Sequence, residues 1–228
     1  QALPYQDRLL TIIGGKLTWS ASFDDTGANW EAASDCGIRP DTILYGMSYH
    51  SVANEPAGYD TKVLLAGANG MYLFAAKSLI VPFTAAGSDY VIFPIATTVG
   101  CNAPRTMCWT PKGTMWLGID KQVYLLPFGS TSPVAVGSKI HSHISGIDGI
   151  ERISNAQLEN ACAIYHNGYY ILSVATSSSS YNTIQWWADV NRGYSDENSE
   201  FGPWYGPMIG QAISCFCNQN GTGDGGEL

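Results

Sequence analysis

The sequence predicts an all-β fold, a β-propeller-like array of antiparallel hairpins, and three observations predict it. The first is composition: only 13% of the 228 residues are charged, while 12% are aromatic. A helical chain would carry more Glu, Lys and Arg on its wet faces. Here the polar surface must come from Ser, Thr, Asn and Gly, with 25 Gly and 11 Pro to make turns. The second is recurrence of a turn signal at Gly14-Gly15, Asn69-Gly70, Lys112-Gly113, Asn167-Gly168 and Asn220-Gly221, each preceded by an apolar run. Hairpins repeating about every 40–50 residues are the signature of a propeller or another radial array. The alternative is a β-sandwich with evenly spaced hairpins. The third is the stretch from Asn102 to Pro127, which reads as three short strands, most of one propeller blade.

The elements follow in order. Leu9–Ile13 and Leu17–Trp19 flank the first turn. Residues 20–61 are a polar excursion with one strand near Thr42–Tyr49. Val63–Ala66 and Met71–Phe74 flank the second turn, and Leu79–Phe83 and Tyr90–Pro94 follow as strands. In the central stretch, Arg105–Trp109, Thr114–Ile119 and Gln122–Leu126 are strands, with Gly113 supplying positive φ for its hairpin. Ile140–Ile153 holds a short helix or a strand pair. Cys162–Tyr165 and Tyr169–Val174 flank the fourth turn. Thr183–Asp189 pairs with Gly202–Tyr205, and Ile213–Cys217 leads into the fifth turn. The chain stops just after that turn, before any return strand. One propeller-type domain over residues 1–228, part of a longer chain, is therefore expected.

A net charge of −8 opposes a sequence-independent grip on nucleic acid and adhesion to an anionic membrane. No run of 18 apolar residues is present, so membrane insertion is not expected. The six cysteines are sparse and lack Cys-x-x-Cys, which fits buried reduced thiols. Cys215-x-Cys217 would place two thiols on one strand face.

Candidate chemistry is thin. Asp25-x-Gly27-x-x-Trp30 resembles the Asp-box of sialidase-type propellers, but Phe23 stands where Ser or Thr is usual. That motif is in any case a structural turn, as are the turns at Gly70, Gly113 and Gly168. A sialidase needs a cluster of arginines, and Arg8, Arg39, Arg105, Arg152 and Arg192 are scattered. His141-x-His143 would share one face of a strand as a metal pair, without a third ligand. Asn218–Asp224 and Asp196–Glu200 read as polar and acidic loops rather than a calcium site or a catalytic pair. No Gly-x-Ser-x-Gly, P-loop or dinucleotide fingerprint occurs. No enzyme activity, cofactor or metal is expected.

In order along the chain, several segments resemble the tail hub or nozzle proteins of short-tailed bacteriophages. Thr98-Val-Gly-Cys-Asn-Ala-Pro-Arg-Thr-Met107, followed by Gly113–Leu126, is similar to that family's GC-x-A-x-R segment and its hairpin. Tyr5–Leu10 with Lys16–Ser20 and Asn29-Trp30 resembles its opening hairpin. Leu65–Leu73 resembles the next blade, and Tyr165–Leu172 with Asp189–Gly193 and Pro203-Trp204 a later one. Lys121-Gln122 departs from the Gly usual there. The resemblance implies a virion protein of the phage tail and a ring of copies, commonly a hexamer. It implies contacts with adaptor proteins and tail fibres, and genome DNA passing through without specific binding. The alternative is a glycan-binding or sialidase-like propeller. Trp186, Trp187, Phe201, Trp204 and Tyr205 are the candidate interface residues, with core packing as the competing role for each.

Overall fold

The computed structural model describes residues 2–5, 8–19, 31–32, 44–49, 60–67, 70–76, 90–95, 99–146, 153, 155–176, 179–192 and 203–216. Within them the chain is all-β. The first sheet holds β1 (Ala2–Tyr5), β2 (Arg8–Ile13), β3 (Lys16–Trp19) and β4 (Glu31–Ala32). The second holds β5 (Leu44–Tyr49), β6 (Asp60–Gly67), β7 (Met71–Ala76) and β8 (Tyr90–Pro94). The third holds β9 (Cys108–Thr110), β10 (Gly113–Leu117), β11 (Val123–Pro127) and β12 (Val134–Ala135). The fourth holds β13 (Cys162–His166), β14 (Tyr169–Val174), β15 (Asn182–Asp189) and β16 (Trp204–Ile213). Each sheet is an antiparallel meander whose strands pair in sequence order. Among the described residues no pairing joins the first sheet to the fourth, so closure into a ring is absent there.

Burial shows how the sheets meet. Val63, Leu64, Leu65 and Ala66 are all buried, and so is every residue of β10, so the second and third sheets are covered on both faces. One apolar cluster runs through Leu64, Met71 and Leu73 of the second sheet and Met115, Trp116 and Leu125 of the third. It continues into Tyr170, Leu172 and Trp186 of the fourth. The first strands of successive sheets also meet, with β9 lying against both β5 and β13.

The turns follow two rules. Gly14-Gly15 (φ 58° and 78°) and Asn167-Gly168 (φ 47° and 88°) have both central residues left-handed, as two-residue hairpins of the I′ type demand. The Lys112-Gly113 turn differs from expectation. Its loop is Pro111-Lys112, and Gly113 is already in β10 with φ 143°. A Cβ there would run into the Leu126 carbonyl oxygen and sit 2.8 Å from Pro127 Cα. Close approach of β11, rather than the turn, requires glycine. Gly70 is buried just before β7, and Asn69, the other residue of its turn, lies outside the described residues. The turns also occupy different places: the first two join second and third strands, the next two join first and second. That shift of one strand explains the short interval between Gly70 and Gly113.

Three expected elements are corrected, and after β12 the helix, one of the two expected alternatives, is the one that forms. Residues 104–106 form a 3₁₀ turn, Pro104–Thr106, before β9 begins at Cys108. Pro104 fixes φ, and the amides of Thr106 and Met107 bond back to Ala103 and Pro104. The region after β12 forms helix α1 (Ser138–Ser145), with Ile140 and Ile144 one turn apart in the core and Gly146 (φ 83°) closing it. The partner of β15 is ten residues long, and it takes up Ile213 from the strand expected over Ile213–Cys217. Its pairing slips at two places, beside Gly206 (φ 125°) and Gly210 (φ 115°). Cys215 lies beyond β16 and is exposed, so it does not share a strand face with another thiol. Asp25, Gly27, Trp30, Phe201, Leu79–Phe83, Asp196–Glu200 and the fifth turn with residues 218–224 lie outside the described residues.

Candidate functional site

The segment Gly100–Thr106 joins three sheets. Cys101 N–H donates to Gly67 O of β6 at 3.0 Å, and Ile119 N–H donates to Gly100 O at 3.2 Å. Thr106 Oγ1 donates to Ala103 O at 2.7 Å and accepts Leu117 N–H at 3.0 Å. The buried Tyr170 hydroxyl of β14 donates to Thr106 O at 3.0 Å. Arg105 reaches the same sheet, donating to Ser214 O (3.2 Å), Glu159 O (3.4 Å) and Asn160 Oδ1 (3.4 Å). One irregular segment thereby ties the second sheet to the third and the third to the fourth. Sequence reading marked it as part of the resembling segment Thr98–Met107 and took Arg105 and Thr106 as strand.

Beside Arg105 lies a cavity of about 140 Å³ lined by Arg105, Asn160, Ser180, Tyr181, Asn182 and Ser214, among others. Asn182 is buried. Its Nδ2 donates to Asn160 O (2.8 Å) and to Cys162 Sγ (3.4 Å), while its Oδ1 has no partner. These residues come from four separate segments, so no motif marks the cavity in the sequence.

The interface candidates separate by face. Trp186 is 1% exposed and belongs to the core cluster, which removes it as a surface residue. Trp204 also turns inward: its Nε1–H donates to Val136 O at 2.9 Å and its ring meets Tyr170 edge-on. Alternation along β15 puts Trp187 on the opposite face, half-buried, in one cross-strand row with Ile164, Ile171 and Tyr205. Tyr169 packs beside them, 5.9 Å from Trp187 and 6.3 Å from Tyr205 between ring centroids. Tyr205 is 40% exposed and Ile209 75%. The fourth sheet therefore carries aromatic side chains on both faces, one inside the core and one toward solvent.

The histidines do not pair. His141 and His143 sit two residues apart on α1, which points them to opposite sides of a helix, not to one strand face. Among the described residues no cluster of His, Cys, Asp or Glu can hold a metal. Arg105 and Arg192 share no partner; Arg192 Nε lies 3.6 Å from Asp189 Oδ2. That carboxylate also accepts Asn191 and Arg192 amides at 3.1 Å, capping the turn after β15. Burial pushes the thiols of Cys101 and Cys108 up to about 12, and raises that of Cys162, so all three stay protonated and poorly nucleophilic at neutral pH.

The fold and these contacts define a class: an all-β chain of stacked four-stranded meanders, knitted through one irregular segment. No family model matches the chain, and no curated protein matches it either.

Proposed function

We propose that the chain is a structural virion protein of a bacteriophage tail, a hub or nozzle component with a β-propeller-like body. It forms part of a ring that closes the tail and conducts DNA during ejection. The observation that carries this reading is the placement of the resembling segments. Tyr5–Leu10 with Lys16–Trp19 falls on the first sheet, Leu65–Leu73 on the second, Gly100–Leu126 on the third and Tyr165–Leu172 on the fourth. Each thus occupies its own meander, in the family's order. The GC-x-A-x-R segment has a structural task that explains its residue types. Its backbone bonds to the second and third sheets, and its Arg spans to the fourth.

The half-buried Trp187 and the exposed Tyr205, in one cross-strand row with Ile164 and the buried Ile171, are the contact surface in this reading. A ring of copies each carrying −8 presents an acidic lumen, which repels DNA and lets it pass without sticking. Electron microscopy and native mass measurement of the purified protein test the assembly. Rings are expected, and a protein that stays monomeric at high concentration would sink the reading. A second reading, a glycan-binding propeller, draws on the Tyr169–Trp187–Tyr205 group, on which a sugar ring could stack. A blank glycan array is expected under the tail reading, and saturable sugar binding that Trp187→Ala abolishes would favour the second.

A further inference from the structure

We infer that the Arg105 cavity is a binding site for a carboxylate. The cavity's volume of about 140 Å³ is close to the roughly 150 Å³ that admits one benzene-sized molecule. Arg105 is exposed, and all three of its hydrogen bonds end on neutral oxygens. No carboxylate among the described residues forms an ion pair with it, in a chain whose net charge is −8. Three bonds leave two of the five guanidinium N–H donors for a ligand. Ser180 and Tyr181 line the same space, and each carries a hydroxyl that can donate. Tyr181 is 57% exposed and so is accessible from solvent.

This donor set matches a carboxylate. One ligand oxygen takes a charge-assisted bond from Arg105, and the other takes a hydroxyl from Tyr181 or Ser180. The rest of Arg105 is held by two segments, Glu159-Asn160 and Ser214, so the guanidinium is already oriented before a ligand arrives. The source of the carboxylate is either a free small acid or an acidic side chain on another chain. The chemistry recognised is the same, and the proposal does not depend on the tail reading.

The test uses the whole chain, labelled with ¹⁵N, and follows the Arg105 Nε–H and the amides of Ser180 to Asn182. Sodium acetate and an end-blocked peptide containing one Glu are titrated separately at constant ionic strength, against sodium chloride. Saturable shifts with half-saturation in the millimolar range are expected with acetate, and not with chloride. Tighter binding of the peptide identifies a side-chain source, and acetate binding without peptide binding identifies a free acid. Tyr181→Phe removes only an exposed hydroxyl and should weaken binding several-fold with unchanged thermal stability. Arg105→Gln should abolish it. Shifts that do not saturate, that chloride reproduces, or that persist in both variants would overturn the inference.

Discussion

Replacing Gly113 with Ala tests the packing of the third sheet most directly. Two costs add. Gly113 has φ 143°, a conformation that costs an L-residue about 1–3 kcal/mol. The added Cβ would also meet backbone, with Leu126 C and Pro127 Cα both 2.8 Å away and the Leu126 carbonyl oxygen closer still. Backbone cannot rotate aside as a side chain can. Relief therefore requires parting the Gly113↔Pro127 end of the β10–β11 ladder, which forfeits one or two hydrogen bonds of about 1 kcal/mol each. The sum is about 2–5 kcal/mol, a large share of the ~5–15 kcal/mol that holds a domain together. Two controls isolate the second cost. Gly14→Ala meets nothing within 4 Å, and Gly168→Ala meets only the Asn191 side chain, which can turn away. Both should cost about 1–2 kcal/mol from φ alone. Urea unfolding followed by Trp fluorescence gives the three midpoints at constant m-value. A Gly113→Ala loss no greater than that of Gly14→Ala would refute the close-approach argument.

Other outcomes follow from the same contacts. Tyr170→Phe should destabilise by about 1–3 kcal/mol, because it leaves the buried Thr106 carbonyl without its partner; an unchanged urea midpoint would contradict that role. Native-state labelling with a thiol reagent at pH 8 should modify Cys215 quickly and spare Cys101 and Cys162, which mass spectrometry of peptides reads directly. Stability should hold below about pH 9 and fall as pH rises toward about 12. The Cys101 and Cys108 thiols have folded pKa values raised above the unfolded value of 9.0, so the folded state keeps protons that the unfolded state releases across that window. A urea midpoint flat from pH 9 to 11 would contradict their burial. Tyr205→Arg should weaken self-assembly in mass measurements while costing the monomer only about 0.5–1.5 kcal/mol, the loss of its contacts with Tyr169 and Trp187.

The meanders were legible because their signals are local. Asn167-Gly168 and Gly14-Gly15 announce I′ turns within two residues, and the flanking apolar runs set the strands. What failed depended on distance or on exceptions. The strand expected over Gly202–Tyr205 stops short of Gly206, Pro207 and Gly210, yet these sit within β16 where its pairing slips. Periodicity of two was applied to His141 and His143, where α1 imposes a period of 3.6. Trp186 and Trp187 are adjacent and aromatic, and only the alternation of β15 against a known core face assigns one inward and one outward. The Arg105 cavity draws on residues 105, 160, 180–182 and 213–214, which no window of sequence brings together.

The arrangement of buried faces makes the stability of the chain collective. The third sheet has no face that can be left wet: Thr114, Met115, Trp116 and Leu117 are all fully buried on successive residues, hence on both faces. It needs the second sheet on one side and the fourth with α1 on the other. Polar ties reinforce this order: the Tyr170 hydroxyl and the Trp204 indole reach from the fourth sheet to the flanks of the third, and the Arg105 guanidinium reaches from a flank of the third to those of the fourth. Stability in such a stack is close to a sum of nearest-neighbour interfaces, so a sheet at the end is weakened by having one neighbour only. Among the described side chains, the fourth sheet carries a second aromatic row at Trp187 and Tyr205. A neighbour seated there would convert an end sheet into an interior one, and the gain would be read as stability that rises with protein concentration.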